Sequence, residues 1–226
     1  MARRPLIIAH RGASAVVHEN SLAAFRAAVE LHVDGIELDV HDTADGALVV
    51  RHDPNLAGQT IPQLPLTAVR QHRLPNGEPI PTLPEALAAI GLGCPVYVEL
   101  KSLAPTHDGA LFAAFDAGPD PARYHVHAFD HTLIRRLTRA RAGLLAGLLA
   151  SAYPEDPVAA LEQAGATEWW QDASTVDAAL ANRLHEEGCR LFAWTVDDPV
   201  QARALDALGV DGLCTNDPAR VRAAFT

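Results

Sequence analysis

The stretch Gly35–Val40, GIELDV, alternates apolar and acidic residues and carries most of the fold information in this sequence. Successive side chains of a β-strand point to opposite faces, so its apolar residues share one face while Glu37 and Asp39 share the other. The stretch Val96–Lys101, VYVELK, repeats this pattern with Glu99. Parallel strands that are covered on both faces are usually apolar throughout. The acidic residues therefore indicate that one face of these two strands serves a function besides packing.

Short apolar runs alternate with amphipathic, alanine-rich segments along the whole chain, which is typical of repeated strand–helix units. The predicted strands are Leu6–His10, Gly35–Val40, Val96–Lys101, Tyr124–Phe129, Leu144–Leu149, Glu168–Gln171, Arg190–Val196 and Val210–Cys214. The predicted helices are Leu22–His32, Pro84–Ile90, Gly109–Ala117, Thr132–Ala140, Pro157–Ala164, Val176–Glu187, Pro199–Leu208 and Pro218–Phe225. Eight such units in 226 residues predict an α/β protein with a compact (β/α)8 TIM barrel. An open doubly wound sheet is the alternative, and no G-x-G-x-x-G follows the first strand to support its dinucleotide-binding form.

The length of the chain predicts one domain over residues 1–226. The segment Asp53–Thr82 is irregular and rich in Pro, Gly and Gln, and we expect a short insertion loop there, after the second strand region. In a barrel such a loop would lie over the carboxyl-terminal mouth or cross the outer surface. Long loops of this kind are often functional.

The composition excludes several classes of partner. A net charge of −10 argues against nonspecific binding to nucleic acid or to an anionic membrane surface. No apolar stretch approaches the roughly 20 residues of a membrane helix, so we expect no stable membrane insertion. The apolar run Leu6–Ala9 is too short for a secretory signal, and the three cysteines fit neither a disulfide framework nor a zinc site. We therefore expect a cytoplasmic protein.

The inward acidic residues indicate a metal site. Buried carboxylates are costly unless they are paired or bind a cation. Glu37, Asp39 and Glu99 offer three oxygen ligands, which suit Mg²⁺ or Ca²⁺. Without a Cys/His cluster, structural zinc is disfavoured. The alternative is that these carboxylates lie in solvent at strand ends or pair with Arg11 and Lys101.

Two histidines follow apolar runs near these carboxylates. His10 ends the first predicted strand, on the face that would point to the barrel axis. His52 ends the run Leu48–Val50, just before Asp53. Barrels of this type carry their active sites at the carboxyl ends of the strands. We therefore expect both histidines to join the acidic cluster there.

Taken in order, a set of short motifs resembles the signature of the glycerophosphodiester phosphodiesterase family. The motifs are His10-Arg11-Gly12, Glu19-Asn20-Ser21, Glu37-Leu38-Asp39, His52-Asp53, Glu99-Leu100-Lys101, Trp194-Thr195-Val196 and Asp211-Gly212. The resemblance extends from Ile8 to Pro218. It implies a (β/α)8 barrel and a metal-dependent enzyme that hydrolyses glycerophosphodiesters, small-molecule substrates, to glycerol 3-phosphate and an alcohol.

The resemblance also implies roles for individual residues. Glu37, Asp39 and Glu99 would bind the divalent cation, Mg²⁺ or Ca²⁺, and His10 and His52 would be the general acid/base pair. Substrate contacts would come from Arg11, Lys101, Glu19 and Trp194. Within that set, Arg11 would contact the phosphate, with Lys101 near it. From its place in the sequence, Glu19 either orients a histidine or Arg11 or only compensates the charge at the start of the first helix. Trp194 shares a face with Phe192, and either forms an apolar wall for the glycerol carbons or packs in the core. The nucleophile is either the adjacent glycerol hydroxyl, through a cyclic phosphate, or water.

The sequence departs from the family pattern at several positions. His18 stands where the family usually has proline, and Leu56–Thr60 stands where an Arg-Thr-Thr segment is usual. His127-Ala128 replaces a usual Gln-Ser pair. His127 faces the axis, and either approaches the site or is a buried, hydrogen-bonded structural residue. All of the proposed metal and acid/base residues are present.

Three other functions compete with this interpretation. The first is a lysophospholipase D that acts on lipid-tailed diesters, which would need an apolar approach to the mouth. The second is a barrel that binds phosphate or metal without catalysis, against which the full set of proposed catalytic residues argues. The third is a metal-dependent amidohydrolase, which usually carries His-x-His on the first strand, whereas this chain has His10 alone.

Overall fold

The computed structural model describes residues 4–225, which form a closed barrel of parallel strands surrounded by helices. The strands are β1 (Leu6–His10), β2 (Gly35–Asp42), β3 (Leu48–Val50), β4 (Asn55–Leu56), β5 (Gln59–Thr60), β6 (Val96–Leu100), β7 (Tyr124–Ala128), β8 (Leu145–Ala150), β9 (Glu168–Asp172), β10 (Arg190–Trp194) and β11 (Gly212–Thr215). The helices are α1 (Leu22–Glu30), α2 (Leu66–Val69), α3 (Leu83–Ile90), α4 (Asp108–Ala117), α5 (His131–Ala140), α6 (Pro157–Ala164), α7 (Ala178–Glu186), α8 (Pro199–Ala207) and α9 (Pro218–Arg222). Because β1 pairs with both β2 and β11, the barrel closes, and the predicted (β/α)8 fold is confirmed.

The register of neighbouring strands brings the predicted site residues side by side. His10 on β1 lies opposite Glu37 on β2, and Asp39 on β2 lies opposite Glu99 on β6. Glu99 in turn lies opposite His127 on β7. Residues in register on adjacent strands point to the same face of a sheet. All five side chains are therefore directed to the inside of the barrel, near its carboxyl end.

Two apolar layers hold the barrel together. Outside it, Ile36, Leu38 and Val40 belong to the core between strands and helices, as their alternation predicts. Inside it, Trp170 stacks on Phe192 with ring centroids 4.6 Å apart. The inner layer comprises Ile8, Tyr97, Leu149, Trp170, Phe192 and Cys214. These side chains fill the middle of the barrel axis, so polar residues are confined to its ends. Burial of each large apolar side chain contributes about 1.5–3 kcal/mol to stability.

Aspartate caps begin the five helices from α5 to α9. Each cap carboxylate accepts a hydrogen bond from a backbone N–H of the first turn, which contributes about 1 kcal/mol. The caps are Asp130, Asp156, Asp177, Asp198 and Asp217. Proline follows the cap directly in α6, α8 and α9, where its fixed φ suits the first turn. These local signals explain why the predicted starts of these helices lie within two residues of the observed ones.

The structure differs from the prediction mainly between β2 and α3. The expected loop Asp53–Thr82 is a folded segment in which β4 pairs with β5, and β3, just before it, pairs antiparallel with β2. Its apolar side chains form a small core of their own with Val49, Leu56, Ile61, Leu64, Val69, Leu74 and Ile80. Elements of two to four residues are too short to show a hydrophobic period, which is why the sequence pattern missed them.

Two further observations concern the helices. The predicted helix Pro218–Phe225 ends at Arg222, and Ala223–Phe225 form a 3₁₀ turn. Within residues 4–225, none of the helices combines the length and apolar character that crossing a membrane requires.

Candidate active site

A cavity of about 140 Å³ lies at the carboxyl ends of the barrel strands. This is the end where enzymes with this fold carry their active sites. Seven of the nine predicted site residues line the cavity, namely His10, Arg11, Glu37, His52, Glu99, Lys101 and Trp194. The other two, Asp39 and Glu19, contact residues of its wall.

The turn after β1 fixes the position of Arg11. Gly12 has φ of 84°, and a Cβ atom there would lie 2.7 Å from the backbone of Ala24. Only glycine fits this left-handed turn against α1 without displacing the helix. The turn directs the backbone N–H of Arg11 to Glu37, where it donates to Oε2 at 3.0 Å. The hydrogen bond between Arg11 and Glu37 therefore links the end of β1 to β2 at the mouth of the cavity.

The two cationic side chains of the cavity are held by carboxylates. Arg11 Nη1 donates to both oxygens of Glu19, at 2.9 and 3.0 Å, and its Nε lies 3.0 Å from Asp39 Oδ2. Lys101 Nζ lies 3.2 Å from Asp39 Oδ1 and 2.5 Å from Glu99 Oε1. Asp39 thus bridges the two cations, and both are pre-positioned at the cavity wall.

Asp39 is fully buried and remains ionised. Burial alone would raise its pKa, but Lys101, Arg11 and a hydrogen bond from Asn20 Nδ2 at 2.7 Å together lower the pKa of Asp39 below its usual value. Nearby opposite charges favour the ionised form of a carboxyl group. The function of Asn20, the middle residue of the Glu-Asn-Ser motif, is therefore to support this carboxylate.

Glu37 and Glu99 are less well compensated. Burial raises the pKa of Glu37 well above its usual value, and repulsion from Asp39 and Glu99 adds to the shift. Burial and repulsion from Asp39 also raise the pKa of Glu99 to about 7. The buried Oε1 of Glu37 has no hydrogen-bond partner among the described residues. Three carboxylates face two cations here, so an additional positive charge would stabilise the site.

His127 adds two ring nitrogens, which are possible metal ligands, to this cluster. It is 2% exposed, and neither ring nitrogen has a hydrogen-bond partner in residues 4–225. Burial lowers its pKa to about 3, so the ring is neutral at neutral pH. One ligand atom from each of Glu37, Glu99 and His127 lies within 4.8 Å of the others. Carboxylate oxygens and neutral imidazole are the donors that proteins use for divalent cations, so these residues fit one.

The protonation of His10 follows from a chain of hydrogen bonds. Asn216 donates to Asp197 Oδ2 through Nδ2 at 2.7 Å, which fixes the orientation of its amide. Asn216 Oδ1 lies 2.7 Å from His10 Nδ1, so this nitrogen carries the proton. Burial and the charge of Arg11 lower the pKa of His10. The neutral ring therefore has its free electron pair on Nε2, which lies 3.9 Å from Glu37 Oε2.

His52 reaches the cavity from the segment after β3. Its Nδ1 lies 2.9 Å from Asp53 Oδ1, and this hydrogen bond is the main reason for the lowered pKa of Asp53. The backbone carbonyl of His52 accepts from His41 Nε2 at 3.1 Å. The His52 side chain is 37% exposed, in contrast to the largely buried His10. The two histidines thus combine a buried and a solvent-accessible ring in one cavity.

Aromatic and aliphatic side chains form the opposite wall. Trp194 packs edge-to-face on Phe129, with ring centroids 5.6 Å apart. Phe129 is 48% exposed, although most large apolar side chains of this protein are buried. Leu149 and Trp170 complete this wall. The cavity is therefore polar on the side of β1, β2 and β6 and apolar on the other.

Some residues of the site carry no clear signal in the sequence. Asn216 and Asp217 are both candidates for the cap of the last helix, and the structure uses Asp217 as the cap and Asn216 as the partner of His10. Phe129 was expected to end a strand, yet it follows β7 and lines the mouth. Asp197 belongs to no motif. These roles depend on contacts between elements distant in sequence.

Fold and cavity together define a (β/α)8 barrel with a charged cavity at the end where enzymes of this fold carry their active sites. Comparison with known proteins gives the family. The model of the glycerophosphoryl diester phosphodiesterase family matches residues 10–220. A glycerophosphodiester phosphodiesterase of Caldanaerobacter subterraneus subsp. tengcongensis is 32% identical over 95% of both chains. This chain therefore belongs to the glycerophosphoryl diester phosphodiesterase family, whose members are phosphoric diester hydrolases.

Solved structures agree on the fold. A phosphodiesterase of Oleispira antarctica, in complex with its product sn-glycerol-3-phosphate, superimposes with a TM-score of 0.91 at 24% identity, over 98% of this chain and 97% of that chain. A glycerophosphodiester phosphodiesterase of Thermotoga maritima gives a TM-score of 0.83 at 22% identity and covers 100% of both chains. The barrel and its surrounding helices are thus shared with these proteins.

Proposed function

We propose that this chain is a single-domain enzyme that uses a divalent cation to hydrolyse glycerophosphodiesters to glycerol 3-phosphate and an alcohol, with His10 and His52 as the acid/base pair. The observation that carries the proposal is the cavity itself, where two histidines and two cations meet Glu37 and Glu99, two carboxylates whose pKa values are raised. Such hydrolysis requires a binding site for an anionic phosphate, a proton acceptor and a proton donor. Each requirement corresponds to a separate set of residues.

The phosphate would be bound by Arg11 and Lys101. Both lie at the cavity wall, and both are already held by Asp39. Fixed cations in a water-poor site stabilise the charge that develops on phosphate oxygens without reorganising during the reaction. Glu19 would act through Arg11, because it accepts two hydrogen bonds from the guanidinium group. Its proposed function is therefore to orient Arg11 for the substrate.

The cation would be held by Glu37, Asp39 and Glu99, the three carboxylates predicted from the sequence. Support comes from the unpartnered Oε1 of Glu37 and from the raised pKa values of Glu37 and Glu99. When bound, a divalent cation neutralises phosphate charge and lowers the pKa of a hydroxyl group or water molecule. Asp39 would divide its oxygens between this ion and its cationic partners Arg11 and Lys101.

His10 is the proposed general base. Asn216 holds its proton on Nδ1, so Nε2 is free to accept a proton from the nucleophile. The chain of hydrogen bonds through Asp197 holds the neutral ring in the tautomer that can accept this proton. A correctly placed general base contributes roughly 10²–10⁴-fold to the rate.

His52 is the proposed general acid. Its Nδ1 hydrogen-bonds to Asp53 Oδ1, which leaves Nε2 as the nitrogen available to the substrate. Nε2 can then give a proton to the leaving alcohol, and the exposed side of the ring lets solvent restore it. The nucleophile is the adjacent glycerol hydroxyl or water, and the same pair of histidines serves either route.

Trp194 and Phe129 would contact the glycerol carbons. Their edge-to-face pair forms the apolar wall opposite the charged residues. An amphipathic wall of this kind orients a substrate that has a charged phosphate and a carbon backbone.

A second candidate function, the hydrolysis of lipid-tailed phosphodiesters, is favoured by one observation. An open groove of about 660 Å³ adjoins the cavity and shares Phe129 and Leu149 with it. Trp169 and Tyr153 also line this groove. It would offer an apolar path for an acyl chain beyond the site. Comparing lysophospholipid with glycerophosphocholine as substrates separates the two candidates.

The test is an enzyme-coupled assay of glycerol 3-phosphate release from glycerophosphodiesters with different head groups. The protein is first treated with a chelator and then assayed with Mg²⁺, Ca²⁺ or no added cation. We expect product only when a divalent cation is present. Full activity in the chelated protein would contradict the proposed metal dependence, and release of no product from any diester would contradict the proposed substrate class.

A further inference from the structure

We infer that His127 is a nitrogen ligand of the cation site, alongside its carboxylates, and that the site consequently binds first-row transition ions in preference to Mg²⁺ or Ca²⁺. The inference rests on the proposed function, because it concerns the cation of the same cavity. It adds a residue and a metal preference that the three carboxylates alone do not imply.

The position of His127 follows from the strand register. His127 on β7 lies opposite Glu99 on β6, and both line the cavity with Glu37 of β2. The candidate ligand atoms of these three residues lie within 4.8 Å of one another. Two ligands bonded to one ion at about 2.1 Å lie at most about 4.2 Å apart. Small side-chain rotations are therefore enough to bring the three atoms onto one cation.

The unpartnered nitrogens of His127 are the second, independent observation. The side chain is 2% exposed and packs edge-on to Trp170, with ring centroids 4.3 Å apart. Both Nδ1 and Nε2 lack a hydrogen-bond partner among the described residues. Leaving a buried polar group without a partner costs about 1–3 kcal/mol. A cation bound to one nitrogen gives that nitrogen a partner, and the same ion balances the charge of Glu37 and Glu99.

The nitrogen donor decides which ions are preferred. Carboxylate oxygens suit Mg²⁺, Ca²⁺ and Mn²⁺, whereas imidazole suits the later first-row ions and zinc. Mg²⁺ and Ca²⁺ are bound almost entirely by oxygen. Adding one imidazole to the carboxylate ligands is therefore expected to favour Co²⁺ or Zn²⁺ over Mg²⁺ and Ca²⁺.

The binding test compares Co²⁺ with Mg²⁺ by calorimetric titration of the chelator-treated full chain. His127→Gln keeps a polar side chain of similar length, and His72→Gln, on a segment away from the cavity, is the matched control. We expect His127→Gln to weaken Co²⁺ binding about tenfold or more, since even residues that only orient metal ligands contribute that much. Mg²⁺ binding should change far less. Equal losses for both ions, or no loss for Co²⁺, would overturn the inference.

A direct readout uses the wild-type protein, so it does not depend on whether a variant folds. Electron spin-echo spectra of the Mn²⁺-loaded protein should show coupling to a nitrogen nucleus, and labelling histidine with ¹⁵N should change that coupling. The coupling should disappear in His127→Gln and persist in His10→Gln. Wild-type spectra without nitrogen coupling, or coupling retained in folded His127→Gln, would overturn the assignment.

Failure of the inference is distinguishable from failure of the proposed function. If product release requires a divalent cation but the bound Mn²⁺ shows no nitrogen coupling, the function stands and the role of His127 is refuted. If the chelated protein keeps full activity, the proposed metal dependence fails. The nitrogen coupling then still decides whether His127 binds an ion.

Discussion

At the scale of single residues, Glu37 shows that the cavity contains negative charge that its cationic side chains do not balance. Its carboxylate is fully buried, one oxygen accepts from the backbone of Arg11, and the other has no hydrogen-bond partner among the described residues. Asp39 and Glu99 repel it, which raises its pKa further. Such an arrangement is unfavourable for folding alone and favourable for binding a cation. Replacing Glu37 with a neutral residue should therefore reduce activity without reducing the stability of the fold.

Glu37→Gln should remove activity that depends on divalent cations while the fold is kept. A metal ion supplies several kcal/mol of charge stabilisation in the transition state, so we expect kcat/KM to fall about 10³-fold or more. In the absence of cation the melting temperature should not fall, because repulsion between carboxylates is relieved. Steady-state kinetics and thermal melts check both expectations.

The control for this substitution is Glu162→Gln, because Glu162 is exposed on α6. It should behave as wild type in both measurements. Retained turnover in Glu37→Gln would refute its assignment as a metal ligand.

His52→Ala should lower kcat by about 10²–10⁴-fold, the usual contribution of a general acid or base. The loss should be smaller for substrates with a good leaving group such as p-nitrophenol, because a leaving group of low pKa needs no proton. His10→Ala should show a similar loss with every leaving group. Measurement of kcat for both variants with an alkyl and an aryl diester checks the assignment of acid and base. Equal losses of His52→Ala on the two substrates would contradict it.

At the scale of elements, the turn between β1 and α1 connects the fold to the site. It holds Arg11 and Gly12 in left-handed conformations, with φ of 58° and 84°. Arg11 can then bind Glu37 through its backbone and Asp39 through its side chain. One turn therefore links β1 to Glu37 on β2 and sets the orientation of Arg11, the residue proposed to bind phosphate.

Gly12→Ala should destabilise the protein, because the added Cβ would lie 2.7 Å from Ala24. Left-handed strain costs roughly 1–2 kcal/mol for a residue with a side chain, and the contact with α1 adds to it. The matched control is Gly58→Ala, which has a similar φ of 85° but no atom within 4 Å of the added Cβ. Denaturant unfolding should show the larger loss in Gly12→Ala. Equal losses would mean that the turn can shift away from α1.

At the scale of the whole molecule, the two ends of the barrel have different charge networks. At the amino-terminal end, Glu168 is buried, with His125 at 2.7 Å and with Arg190 as its second partner. These residues stand at or near the starts of β7, β9 and β10, away from the cavity. One carboxylate there faces an arginine and a histidine, whereas at the carboxyl end three carboxylates face two cations. We therefore expect a bound cation to stabilise the folded state at the carboxyl-terminal end of the barrel.

Adding divalent cation to the chelated protein should raise its melting temperature. Binding to the folded state at 100 times Kd adds about 2.7 kcal/mol, which corresponds to about 5–10 °C in a chain of this size. Glu37→Gln should abolish most of this shift. Differential scanning calorimetry at several cation concentrations measures it. A melting temperature independent of cation in wild type would contradict a cation site in the folded state.

The sequence by itself determined the barrel and predicted which side chains gather at its cavity. Period-two alternation in Gly35–Val40 and Val96–Lys101 assigns Glu37, Asp39 and Glu99 to one face, because backbone geometry alone sets that period. Aspartate caps and prolines predict where the later helices begin, because capping is local. All nine candidate residues of the site lie at the cavity or in contact with its wall.

Only the tertiary structure decided which atoms meet across the barrel. Asn216 fixes the proton on His10, although 206 residues separate them in the chain. The sequence predicts for His127 either a place near the site or a structural role. The pairing of β7 with β6 places its unpartnered ring nitrogens beside Glu37 and Glu99. Strand pairing and side-chain hydrogen bonds between distant elements follow from packing of the whole barrel, so no local pattern in the sequence encodes them.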